Sequence, residues 1–299
     1  MKFNEHNKSQ LSFSHPKMFY TRISNFKNHF FQRFKVVDLA HSAEHLRQWY
    51  ESDFGAYINE YEHQFICDCF SQLPGYRLLR LGLSENVQST NSFGQLHRFS
   101  LHPTEMNSSH AAICNYDELP IPSGVIDVTL LQHSLEFSLS PKAVLAEACR
   151  VTAPGGHLLL FVFNPFGLHG INKFPMQILT EKIQYRFHNL RLGRVADWLS
   201  LLGFEVTASY YRAHHLICKP SAKLIATSRF ERWCEKLNLP FGNIYIIHAM
   251  KREIRGVTKK MHIWKQSAPS YQQTSGHGVR LENIRKRQIN LLGGHNEKC

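Results

Sequence analysis

His133, Glu136 and Asn164 follow two apolar runs, VIDVTLLQ (Val125–Gln132) and LLLFVF (Leu158–Phe163). Polar side chains at strand ends are placed to do chemistry. A histidine that titrates near neutrality can orient a substrate or take its proton. Glu136, three residues on, can pair with it or cap a helix. The structural alternative is that His133 simply closes the strand. Asn164-Pro165 offers an amide at the same edge, or else an ordinary Asn-Pro turn. Metal chemistry finds no support. The nineteen histidines contain no His-Glu-x-x-His, His214 and His215 are adjacent, and Cys67 and Cys69 are only two apart.

Charge narrows the partners. Residues 1–35 carry seven Lys/Arg and one acid, and residues 251–299 carry eleven Lys/Arg and three acids. Residues 36–250 hold seventeen basic and nineteen acidic side chains, so the middle is near neutral and has no composition for a phosphate-binding groove. The basic tails could touch nucleic acid or an anionic membrane, though such tails are more often just solvated. No run is long enough to span a bilayer, and the first residues lack the apolar core of a secretory signal. Seven irregularly spaced cysteines suit reduced thiols in a cytoplasm.

The elements that must position these residues alternate. A helical stretch over His45–Leu73, broken near Gly55, precedes strands at Leu78–Leu81, Leu96–Leu101, Ala111–Asn115 and Val125–Leu131. A helix capped by Ser140 leads into HLLLFVF. A helix ending at Gly203 leads into EVTASYYRA and then NIYIIHAM, with a helical Ser221–Leu237 between them. Alternation of this kind implies a parallel α/β sheet. Ahead of it, Phe19, Ile23, Phe26, Phe30 and Phe34 form one helical stripe flanked by Arg22, Lys27 and Arg33. That stripe packs on the domain or lies on a membrane surface. The chain therefore divides into a basic Phe-rich extension (1–35), a domain (36–255) and a polar, basic tail read as disordered (256–299).

Four pieces in fixed order carry a family likeness: Asp117-Glu118-Leu119-Pro120, Val125-Ile126-Asp127-Val128, Glu147 with Arg150, and Pro154-Gly155-Gly156. With ADWLSLLGFEV and NIYIIHAMKR downstream, residues from about Trp49 to Lys251 resemble a class I S-adenosylmethionine-dependent methyltransferase of the type 11 kind. The likeness is strongest to a bacterial subgroup with no assigned acceptor. It implies a Rossmann-like, mostly parallel sheet of seven strands in the order 3-2-1-4-5-7-6, with the cofactor over the ends of strands one to four.

The resemblance also implies a site. Gly82, Ser84 and Gln132 would bind the cofactor, with the turn at Gly82 and Ser84 against its methionine half. Asp117 and the backbone of Glu118 and Leu119 would hold its adenine. His133 and Asn164 would serve the acceptor. The chain departs from the family twice. In RLLRLGLSENV, Arg80 stands at the acid's place, and the glycines of the turn fall on Gly82, Ser84 and Asn86, so one of three remains. The second strand ends without the acid that binds ribose, a loss of about 1.5–3 kcal/mol. These residues imply S-adenosylmethionine-dependent methyl transfer to an unidentified, small acceptor. The alternative is a catalytically silent domain of the same fold that binds partners through its surface and tails.

Overall fold

The computed structural model describes residues 34–84, 88–105, 111–215 and 229–252. The Phe stripe before Phe34, the predicted tail from 256, Asn86 and the first part of the Ser221–Leu237 helix lie outside the described residues.

Seven strands form one sheet: β1 Arg77–Gly82, β2 His97–His102, β3 Ala112–Ile113, β4 Ile126–Gln132, β5 Thr152–Phe163, β6 Phe204–Arg212 and β7 Ile244–Lys251. Their order is β3-β2-β1-β4-β5-β7-β6, as the resemblance implied. β1 pairs in parallel with β2 and β4, while β7 runs antiparallel between β5 and β6. The helices are α1 Leu39–Tyr50, α2 Asp53–Cys69, the single turn α3 Gln88–Asn91, α4 Pro141–Val151, α5 Leu168–Leu179, α6 Leu192–Leu201 and α7 Arg229–Lys236. A 3-10 turn, Ile183–Tyr185, follows α5.

The central strands read as unbroken apolar runs because helices cover both faces. Leu78, Leu79, Leu81, Val128, Leu130 and Leu158 through Phe161 are all fully buried. The break expected near Gly55 falls at Glu51–Ser52. Ser52 caps α2 by accepting the Gly55 N–H, and a Cβ at Gly55 would sit 2.1 Å from the Trp49 carbonyl. Only glycine permits that approach. Ser140 stands at the N-cap of α4 but makes no side-chain cap bond; Pro141 at the first helical position sets the entry. Gly203, at φ +83, ends α6. The Pro154-Gly155-Gly156 stretch does not precede β5 as a separate turn. It is part of the strand, beside a register shift between Ile126 and Val128.

Two family pieces turn out to be fasteners. Asp127 Oδ2 accepts the N–H groups of Tyr76 and Arg77, each at 2.8 Å, and so fixes the start of β1 to β4. Arg150 makes a two-pronged pair with Glu147 (2.9 and 2.8 Å) and donates to the carbonyls of Ile121 and Leu119. Glu147 also accepts the Leu119 N–H at 3.0 Å. Burial alone would raise the Glu147 pKa; Arg150 and the Leu119 N–H outweigh it and hold the carboxyl below its ordinary range. The pair thus clamps the loop after β3 to α4. Glu147→Gln is expected to cost about 1–3 kcal/mol, read as a lower denaturant midpoint with an unchanged slope.

Candidate functional site

At the carboxyl ends of β1 and β4 the chain builds a buried file of polar groups. The Ser84 carbonyl accepts from Arg80 Nη2 at 3.0 Å. Arg80 Nε donates to Gln132 Oε1 at 2.6 Å, and Gln132 Nε2 donates to Glu62 Oε2 at 3.0 Å. Glu62 Oε1 lies 2.6 Å from His133 Nε2, and His133 Nδ1 lies 2.8 Å from Glu136 Oε1. Glu136 Oε1 also accepts the Phe163 N–H at 2.9 Å. Every side chain in this file is at most 2% exposed. It ties β1, β4 and β5 to α2.

His133 ends β4 in an uncommon left-handed conformation (φ 55) and stacks on Phe163 with ring centroids 4.0 Å apart. Burial disfavours its charge, but the charges of Glu62 and Glu136 and their hydrogen bonds prevail, and its pKa is raised to about 10. The imidazole is therefore a cation at neutral pH, with both N–H groups donated to carboxylates. This geometry supports the structural alternative, in which His133 closes the strand, over its use as a base: both ring nitrogens face carboxylates and the ring is fully buried. The foreseen pairing with Glu136 is present, as a structural clamp.

Asn164 is likewise engaged in the fold, in line with the Asn-Pro turn alternative. Its Nδ2 donates to the carbonyls of Pro240 and Gly242, both at 2.8 Å, and its Oδ1 accepts the Phe166 N–H. The amide ties the end of β5 to the approach of β7. Gln132 spends both ends of its amide inside the file. The Leu119 N–H is taken by Glu147, and the Glu118 N–H faces the Asn115 carbonyl at 3.4 Å, so neither amide presents a free donor to an adenine. Asp117 is exposed, beside the exposed edge strand β3, where Ile113 is 52% exposed. Trp49 and Tyr57 are core side chains, as aromatics on such a helix usually are.

Sequence reasoning missed Glu62 and Tyr116. Glu62 falls inside the buried stripe Tyr57, Ile58, Tyr61, Phe65, Ile66 of α2, and an acid in such a stripe was the available signal. Tyr116 is buried, with its hydroxyl 2.9 Å from the Gly82 carbonyl and 2.8 Å from that of Leu101, bridging the ends of β1 and β2.

Residues 83–160 match a protein family described as a methyltransferase domain. That segment runs from the turn after β1 into β5 and takes in Ser84, Gln132, His133 and Glu136 of the file, while Arg80 and Glu62 precede it. Over those residues the chain is similar to that family, and its sheet has the strand order that the resemblance implied. A curated relative, the uncharacterized protein YafS of Escherichia coli K12, is 31% identical over 137 residues. The match takes in 46% of this chain and 56% of YafS, so the chain spans about half the length of that relative. Among solved structures, a methyltransferase from Archaeoglobus fulgidus aligns at 14% identity and TM-score 0.49, over 68% of this chain and 98% of its own. One from Mesorhizobium loti aligns at 13% identity and TM-score 0.45, over 65% and 100%.

The cofactor implied by this methyltransferase fold can be tested against the residues present. At Gly82 a Cβ would lie 2.9 Å from Arg80 Cζ and Nη2. The room that the glycine opens is thus bordered by the chain's own guanidinium. The adenosine end suits the group, because Ile113 and Asp117 offer an apolar edge and a carboxylate. At the other end, the place of the family's acid is held by Arg80, which is buried and bonded to Gln132 and the Ser84 carbonyl. Two cavities of about 450 Å³ lie elsewhere, one lined by Gly203–Val206 and Arg252, the other by Phe34–Val36, Lys173 and His188.

The raised pKa of His133 sets a pH dependence. Its proton is held more tightly in the folded chain than in the unfolded one. The resulting stabilisation is complete below the ordinary histidine pKa of about 6.5 and is lost as pH rises toward about 10. Thermal melts from about pH 6 to about pH 10 should show a falling midpoint in the wild type. His133→Gln should melt lower at pH 6 and flatten the slope. An equal slope in both would place the titration elsewhere.

Proposed function

We propose that the domain uses S-adenosylmethionine to methylate a small-molecule acceptor. The methyltransferase-domain match over the cofactor-bearing half of the sheet carries this reading. In it, Asp117 accepts from the adenine amino group, Ile113 lies against the ring, and Arg80 holds the carboxylate of the methionine half. Gln132 and Glu62 keep Arg80 in place. When bound, the cofactor supplies an electrophilic methyl group on a sulfonium. His133 contributes position and charge rather than proton transfer, so the acceptor must arrive as a competent nucleophile or lose its proton to water. The near-neutral middle of the chain favours a small acceptor over a nucleic acid. Cys67, Cys69, Cys114, Cys149 and Cys234 are free thiols, which supports a reducing, cytoplasmic setting.

A second reading is favoured by one observation. The file from Ser84 to Glu136 fills the ends of β1 and β4 with internal bonds, as a domain that only binds partners would allow. Calorimetric titration of S-adenosylhomocysteine and of 5′-methylthioadenosine, which lacks the amino-acid end, separates the two. Catalysis predicts that the homocysteine compound binds more tightly. Arg80→Lys should narrow that gap by about tenfold, the scale of one charged hydrogen bond, and leave methylthioadenosine unchanged. No binding of either compound at millimolar concentration would favour the silent domain.

A further inference from the structure

Helix α5 is amphipathic the wrong way round. Its buried residues are His169, Lys173 and Gln177, spaced by four along one face. They are inward because they hold the segment that follows. Lys173 Nζ donates to the Phe187 carbonyl and to Asn189 Oδ1, Gln177 donates to the Tyr185 carbonyl, and the His169 ring stacks on Tyr185 and Phe187. The outward face is apolar. Ile171 is 60% exposed, Phe174 63% and Leu179 75%, with Leu168 and Phe166 also exposed at the helix entrance. A soluble helix places these side chains inward. Contiguous apolar exposure of this kind marks an interaction surface.

The surroundings of that face are basic. Arg191 lies over the Phe166 ring at 5.3 Å, and Lys182 and Arg194 are exposed. Between residues 165 and 195 there are five basic side chains and one acid, Glu181. Phe34, the first described residue, meets Phe174 with ring centroids 6.1 Å apart. The N-terminal extension brings seven basic residues against one acid. Covering the face with the extension, or with a second copy of the chain, would set positive charge against positive charge. An anionic surface has the complementary sign and accepts the apolar face as well.

We propose that the outer face of α5, flanked by these cations, docks on an anionic lipid surface. No helix among the described residues is long and apolar enough to cross a membrane. Docking through α5 would hold the carboxyl ends of β4 and β5 near the lipid.

The test is co-sedimentation of the full chain with vesicles of phosphatidylcholine alone, or with about one third phosphatidylglycerol. The wild type should bind the anionic vesicles, bind neutral ones weakly, and be released near 0.5 M salt, roughly where exposed charges are screened. Ile171→Asp with Phe174→Asp leaves every basic residue in place and alters only exposed positions. It should weaken binding by about tenfold or more while the melting midpoint stays near that of the wild type. Equal binding by wild type and variant would overturn the proposal and assign the contact to the tails. So would absence of wild-type binding. A wild-type dimer that the variant cannot form, or hydrogen exchange showing α5 covered by the extension without lipid, would overturn it in favour of those occupants.

Discussion

Two carboxylates, Glu62 and Glu136, lie within hydrogen-bonding distance of one buried imidazole, and the rest of the domain's active edge depends on that arrangement. Buried charge is tolerated only where it is paired and hydrogen-bonded. Here the pairing extends to four groups. Arg80 and protonated His133 supply two positive charges, and Glu62 and Glu136 supply two negative ones. Gln132 sits between Arg80 and Glu62 and passes the bond along. The file is neutral as a whole, and each member loses partners if another is removed. That explains how a sheet of leucines and valines tolerates an arginine, a histidine and two glutamates among its least exposed residues.

The same constraint shapes the chemistry. A histidine between two carboxylates is a fixed cation and cannot serve as a base near neutral pH. The guanidinium beside Gly82 puts a positive charge where the resemblance implied a negative one. Tyr116 and the Glu147–Arg150 pair hold the neighbouring loop, which leaves Asp117 and Ile113 on the open side. The strand order is the one the resemblance implied, while the charges at the strand ends depart from it. In this account, methyl transfer depends on positioning and on the acceptor's own nucleophilicity.

Much of the fold was legible because its signals are local. LLRL, VIDVTLL and HLLLFVF are continuous apolar runs, the mark of strands covered on both faces. Gly203 marked a helix end. β3 was harder. It is two residues on an exposed edge, shorter than the Ala111–Asn115 strand that the pattern predicts. The site was less legible for the opposite reason. Glu62 lies 71 residues before His133, and nothing in either neighbourhood announces the other. Arg80 was visible as a departure, but not the direction in which its side chain turns. His133 with Glu136 could be paired from spacing alone, whereas the second carboxylate, which changes the pair from a base to a locked cation, could not. Asn164 read as an amide at the mouth, and its partners Pro240 and Gly242 lie in the loop before β7, almost eighty residues away.

The most direct test of the locked cation is nitrogen-15 NMR of the His133 ring across the pH range, assigned by comparison with His133→Gln. The account predicts that both ring nitrogens carry protons at pH 8, with titration only as pH nears about 10. A ring that is neutral at pH 8 and titrates near the ordinary histidine value of about 6.5 would contradict it, and would return His133 to the role of a base.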